Sequence, residues 1–355
     1  MPGRPRRALV EASGTPPAGR RMFRRAGRRT NAALLVLCVG AFLSGWLAFA
    51  SSARLPATLT TAAHGLFGIG VVALVPWKRE IVTRARAVPV VAWLLIVLTV
   101  LCLASGFAQF LLGYHVVDVL GLLPLSPIQV HVGAALVAVP LFGWHVLRRR
   151  PQRLNRRDLS RRALLRTGAF TVGAGVGYLS LLGVAGWTRG SAGRLTTGSG
   201  RIGPDAIPPT TWLFDRVPAL SADHRVEVAG RFWSVADLAA RGRSVRARLD
   251  CTSGWYAEAT WAGAALVDLI DRQRLATASS IEVTSVTGYT RRFPVAEAGS
   301  LWLATSCQGR PLTPGTGAPV RLVAPRRRGF WWVKWVVAVG LSDRPAWAQL
   351  PFPPQ

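Results

Sequence analysis

The chain has 355 residues, half of them hydrophobic, with a mean hydropathy of +0.29. That profile is too apolar for a purely soluble protein, and the length is too great for one domain. A formal net charge of +28 would suit a nucleic-acid binder, but the basic residues cluster beside apolar runs, without the aromatic interleaving such binding uses.

Residues 1–30 are rich in Arg, Pro and Gly and have no apolar period, which predicts a disordered basic tail. Apolar runs follow over about 31–50, 60–77, 88–112, 128–147 and 163–187. Each approaches or exceeds the roughly 20 residues that cross a bilayer, the second being the shortest. The expectation is an all-α membrane module: four helices within 31–147, then a basic segment and a fifth helix over 148–187.

Arginine placement sets an orientation. The tail and the segments 78–86 and 148–162 are basic, whereas the loops 51–59 and 113–127 carry almost no positive charge. The positive-inside rule puts the N-terminus in the cytoplasm and everything after residue 187 outside it. The run Asp158-Leu-Ser160-Arg161-Arg162-Ala-Leu-Leu-Arg166 precedes a Gly/Ala-rich apolar stretch. It resembles a twin-arginine export signal, which moves proteins already folded; an ordinary positive-inside anchor reads equally well. No small-x-small cleavage site follows, so the expected result is an uncleaved anchor.

Four of the five histidines lie in or beside the apolar runs. Ionisable side chains there are costly and usually functional. His64 and His131 fall at matching depth near the outer ends of the second and fourth runs, with Gly65, Gly68, Gly133 and Ala134 nearby. Facing imidazoles of this kind are the usual axial pair of a b-type haem. Packing histidines, or a metal site that includes His115, are the alternatives. His145 shares a helix face with His131 but finds no histidine opposite, only Pro76-Trp77-Lys78, so a second haem is not expected.

Residues 188–211 are rich in Gly, Ser, Thr and Pro and read as a linker. From 212 to 355, short β-like runs recur at 225–228, 245–249, 281–285, 291–295, 301–304, 320–323 and 332–339. Helical pattern is confined to about 234–240 and 264–271. This alternation predicts a mixed, strand-rich α+β domain.

Within that domain the run 245–249 delivers Cys251 into a small-residue turn, Thr252-Ser253-Gly254, followed by Trp255 and Trp261. A thiol at the mouth of a strand with small neighbours is placed to bind a metal or to attack, since a deprotonated sulfur is a strong soft ligand. A structural cysteine, or half of a disulfide with Cys307, is the alternative. A second stretch reads Gly317-Ala-Pro319-Val-Arg321, then Gly329-Phe330-Trp-Trp-Val-Lys334-Trp. The chain has only two lysines, Lys78 and Lys334, against a large arginine majority. A lysine kept here points to a wanted compact point charge.

Together the two stretches resemble the sulfite oxidase family of molybdopterin enzymes. The shared features are a cysteine after a strand, a Trp-x-Gly-x-x-Leu segment at Trp261-Ala-Gly263-Ala-Ala-Leu266, and the Gly-x-Pro-x-Arg … Lys-Trp signature. The resemblance covers about 212–341. It implies that Cys251 ligates molybdenum and that Arg321 serves both catalysis and cofactor binding. It also implies that Trp255, Tyr289, Gly329, Phe330 and Lys334 line a Mo-molybdopterin site. A fused ring bearing a phosphate needs such cations, close backbone and aromatic walls. Only about twenty residues follow the Lys-Trp pair, too few for the dimerisation domain of many members. In that, and in a predicted monomer, the chain is similar to the family's periplasmic methionine sulfoxide reductase catalytic subunits. No basic residue stands beside the cysteine as in sulfite-oxidising members. The expectation is a membrane-anchored oxidoreductase acting on a small molecule outside the cytoplasm, with electrons passing through the helices to or from a quinone pool or other carrier. A metal-free binding module of the same fold is the alternative.

Overall fold

The computed structural model describes residues 27–51, 54–84, 88–119, 123–149, 160–189, 193–195, 197–211, 216–221 and 223–350. The expected tail over 1–26, most of the 148–162 segment including Asp158, the domain start at Trp212 and the chain end at Gln355 lie outside the described residues.

Five helices are long and apolar enough to cross a membrane: α1 (Arg28–Ala50), α2 (Arg54–Thr83), α3 (Val90–Leu112), α4 (Pro127–Arg149) and α5 (Arg161–Arg189). They are apolar nearly all round, and large side chains such as Val36, Trp93, Val100 and Leu179 stay exposed on them. A water-facing helix would be polar on that side; these faces suit lipid. The second helix, expected to be the shortest, is 30 residues long. Its polar end remains helical, with Lys78 Nζ donating to Asn31 Oδ1 of α1 at 3.1 Å and an Arg84–Glu80 pair at 2.9 Å. Small residues let the helices approach: Gly40 lies against Phe67, Gly70 against Leu37, and Gly65 against Tyr178 of α5. A short antiparallel pair, β1 (Val117–Val119) with β2 (Leu123–Leu125), joins α3 to α4.

The rest is a mixed α+β domain of two sheets, as expected. The first is built on β7 (Trp255–Ala265). That strand pairs with β6 (Arg243–Asp250), with β10 (Trp302–Cys307) and, in parallel, with β3 (Gly200–Arg201). Beyond β10 lie β11 (Arg310–Pro311) and β12 (Arg321–Val323). The second sheet runs β5 (Arg231–Ser234), β4 (Arg225–Val228), β13 (Val336–Ser342), β8 (Ser280–Ser285), β9 (Thr290–Pro294). Trp255, Trp261, Trp335, Phe293, Ile281 and Leu303 are almost wholly buried among these strands. Each such side chain contributes about 1.5–3 kcal/mol by leaving water.

Three sequence expectations change. The stretch after Gly254, to which the sequence assigned no element before 264, is the eleven-residue strand β7. Most of its side chains are buried on both faces, so no alternation betrays it. Residues 264–271 hold only a 3₁₀ turn, Leu266–Asp268. The helix comes later as α7 (Arg272–Thr277), capped by Asp271; a further short helix, α6 (Val235–Ala240), falls where expected. The last strand begins at Val336, because Gly329–Trp331 forms a 3₁₀ turn and Trp335 has φ +52°. Finally, the stretch read as a linker is partly built into the domain, since Gly200 and Arg201 pair with Trp255 and Tyr256.

Candidate active site

Strand β6 ends at Asp250, and the chain turns at once. Cys251 N donates to Trp255 O at 2.9 Å and Gly254 N to Cys251 O at 3.2 Å, a tight loop that leaves Cys251 buried where the two sheets meet. The segment 329–335 crosses the same place. A Cβ on Gly329 would stand 3.0 Å from Cys251 Cα and 3.2 Å from Asp250 O, so a larger residue would force these two backbone segments apart by a few tenths of an ångström.

A cleft of about 680 Å³, counting its open mouth, holds every residue that the sequence assigned to the molybdopterin site: Cys251, Trp255, Tyr289, Arg321, Gly329, Phe330 and Lys334. The two cations pack together against a left-handed glycine. Gly317 has φ +111°, and a Cβ there would lie 3.0 Å from Arg321 Cβ and 3.1 Å from Lys334 Cγ. Arg321 is 2% exposed. Its Nη1 donates to Thr316 O at 2.8 Å, and its guanidinium lies 5.0 Å from the Trp261 ring and 5.6 Å from the Trp332 ring. Burial pulls its pKa down to about 10, with Cys307 and Cys251 pulling the other way. Lys334 Nζ donates to the carbonyl oxygens of Thr210 and Gly315. The Tyr289 hydroxyl donates to Phe330 O, fixing the aromatic wall rather than presenting a free polar group.

This donor set fits a phosphate-bearing pterin. Arg321 Nε is buried without a hydrogen-bond partner, a state that costs on the order of 1–3 kcal/mol or more unless an acceptor arrives. A thiol, two cations and tryptophan walls share the cleft. All four cysteines are free, so the disulfide between Cys251 and Cys307 is absent. Cys307 sits at the end of β10, outside the cleft lining, its pKa raised by burial.

Sequence reading missed the group that holds the cysteine loop in place. Asp250 accepts from Ser199 Oγ at 2.6 Å, Thr197 Oγ1 at 2.8 Å and Arg328 Nη1 at 3.1 Å. The arginine and carboxylate are nearly buried, so the pair ties the strand end before Cys251 to the residue before Gly329. An acidic residue directly before the candidate ligand, with an arginine directly before the family glycine, was the available signal. Of the neighbouring Trp331 and Trp332, the second lines the cleft and the first does not. His224 gives no ligand, its Nε2 lying 2.8 Å from Val336 O.

His64 and His131 lie elsewhere, in α2 and α4. Their rings face each other with centroids 5.6 Å apart at 88°. His64 Nδ1 is 2.8 Å from Ala41 O, and His131 Nδ1 is 2.7 Å from Cys102 O. A carbonyl only accepts, so each Nδ1 carries the proton and each Nε2 keeps its lone pair. Among the described residues no group of three or more His, Cys, Asp or Glu could hold a metal ion, with His115 or without it.

Residues 215–349 match the family model described as oxidoreductase molybdopterin binding domain, and this part of the chain is a molybdopterin-binding oxidoreductase domain. The crystal structure of the sulfane dehydrogenase SoxCD from Paracoccus pantotrophus is similar at 22% identity and a TM-score of 0.32, over 36% of this chain and 40% of that one. The chain therefore spans well under half of that relative. No curated protein matches it.

Proposed function

We propose that the chain is a membrane-anchored molybdenum oxidoreductase whose catalytic domain works outside the cytoplasm on a small, oxygen-accepting or oxygen-donating molecule. The observation that carries this reading is the meeting of Cys251, Arg321 and Lys334 in one cleft. When bound, the cofactor supplies exchange of an oxo group and of two electrons. In balance, a substrate X and water yield XO, two protons and two electrons, or the reverse.

The chain's own residues bind and orient. Cys251 provides the thiolate that the metal needs. Arg321 and Lys334 neutralise the phosphate, and Trp255, Trp332 and Phe330 wall the pterin from water. Asp250 and Arg328 hold the loop so that the sulfur is presented in one place. A reduced dye should be reoxidised by sulfoxides or N-oxides, or an oxidised dye reduced by sulfur-containing donors, in full-length protein and not in Cys251→Ser. Absence of both reactions in metal-loaded protein would refute the assignment.

The helices serve as anchor and as electron path. Support comes from arginine placement and from the paired histidines, whose Nδ1 atoms face carbonyl oxygens, so that His64 and His131 would hold one b-type haem through Nε2 and the haem would supply one-electron transfer. Quinone or another carrier would meet the helices from the lipid. Purified protein should show a low-spin b-type spectrum lost in His64→Ala and in His131→Ala. Protein with molybdenum but no haem bands would leave the helices as an anchor alone.

A further inference from the structure

The small turn that follows Cys251 is seated on the membrane helices. Gln109, one turn from the end of α3, donates from Nε2 to Gly254 O at 3.2 Å, and Ser126, just before α4, donates from Oγ to Ser253 O at 3.3 Å. Gln109, Ser126 and Ser253 are all buried. The fit leaves no slack: Gly254 has φ +90°, and a Cβ there would stand 2.6 Å from Gln109 Nε2 and 3.1 Å from Ile128 Cγ2.

Other contacts brace the same seat. The Tyr114 ring meets Trp255 edge-on at 6.5 Å. Phe49, near the end of α1, stacks on Phe330 at 5.8 Å and 20°. Arg194, in the strap after α5, lies 4.2 Å from the Phe110 ring and reaches Phe110 O at 3.4 Å.

Both helices run from this seat to His131 within one turn. On α4, Ile128 precedes His131 by three residues, a rise of about 4.5 Å. On α3, Gly106 precedes Gln109 by three, and a Cβ on Gly106 would lie 2.8 Å from His131 Nδ1. The loop carrying the candidate metal ligand therefore rests about one helical turn from His131.

We propose that the turn Thr252–Ser253–Gly254 is a permanent dock, held by Gln109 and Ser126, that fixes the catalytic domain on the membrane module and keeps the cofactor cleft at one constant separation from His131. Electrons then cross without any swing of the domain. The dock is independent of the chemistry; its use as a relay rests on the proposed electron exchange through the helices.

The test uses full-length protein in lipid discs. Ser126→Cys combined with Ser253→Cys should give, on mild oxidation, a cross-link between the peptides that contain residues 126 and 253, mapped by mass spectrometry. Peptides that stay unlinked while both thiols are freely alkylated would overturn the dock. The linked protein should keep turnover coupled to a membrane carrier within about twofold of unlinked protein, the margin of an undisturbed contact. Linked protein that keeps dye-coupled turnover but loses carrier-coupled turnover would overturn the fixed relay, because motion would then be required. If unlinked wild-type protein has no carrier-coupled turnover, electron exchange through the helices and with it the relay are refuted, while the cross-link still decides the dock.

Discussion

Asp250 and Arg328 form a nearly buried ion pair at 3.1 Å that joins the strand end before the candidate metal ligand to the turn that covers it. The carboxylate also takes hydrogen bonds from Ser199 and Thr197. Removing one partner leaves an uncompensated buried charge, which costs about 3–5 kcal/mol. Arg328→Ala should therefore lower the unfolding midpoint of the domain markedly in calorimetry and loosen the Cys251 loop. Replacing both, as Asp250→Asn with Arg328→Gln, should recover much of the stability. Equal loss in the single and double variants would show that the pair does not act as a unit.

The thiol assignment separates two cysteines. Cys251→Ser should remove molybdenum retention, because a serine hydroxyl is a harder and far less acidic ligand, while circular dichroism stays that of the wild type. Cys307→Ser should retain metal, since Cys307 lies outside the cleft. Metal analysis of both variants decides, and metal lost only from Cys307→Ser would mean the wrong sulfur was chosen.

Arg321 carries a buried charge whose Nε lacks a partner. Its folded pKa, about 10, lies below the ordinary guanidinium range. Between about pH 10 and that range the unfolded chain binds more protons than the folded one, so this residue makes stability rise with pH there. Below pH 10 the cost of the buried cation is present in full, and a bound dianion would offset it. Arg321→Met should leave the cofactor-free domain as stable as wild type, or more so, while abolishing cofactor retention. Thermal unfolding with and without cofactor measures both effects; a large loss of stability in the cofactor-free variant would make Arg321 structural instead.

Topology has its own test. A reporter fused after the last residue should be active only outside the cytoplasm, and one fused after residue 150 only inside, as the positive-inside rule requires. Arg161→Lys with Arg162→Lys should stop appearance of a cofactor-loaded domain outside if the paired arginines act as an export signal. Normal export of loaded protein in that variant would reduce the segment to an ordinary anchor.

The two motifs were legible because they are local: Cys251 closes a strand, and Arg321, Gly329 and Lys334 sit within one short run. Apolar length sufficed for the five helices. What the sequence hid is of two kinds. Strand β7 is buried on both faces, so its side chains carry no period-two pattern, and Leu266, Leu269 and Ile270 imitate a helix. The second kind depends on distant partners. Ser199 and Thr197 look like linker until the fold brings them to Asp250, and nothing in the local pattern around Gln109 or Ser126 points to the Cys251 turn.

The central claim is that the cleft around Cys251 holds a molybdenum cofactor. The most direct measurement is metal and pterin analysis of the full-length protein, purified from a host that makes the cofactor, beside Cys251→Ser prepared in the same way. The account predicts molybdenum and pterin in stoichiometric amount in the wild type, with molybdenum lost from the variant. A folded wild-type protein that contains neither, or a variant that keeps its molybdenum, would contradict it.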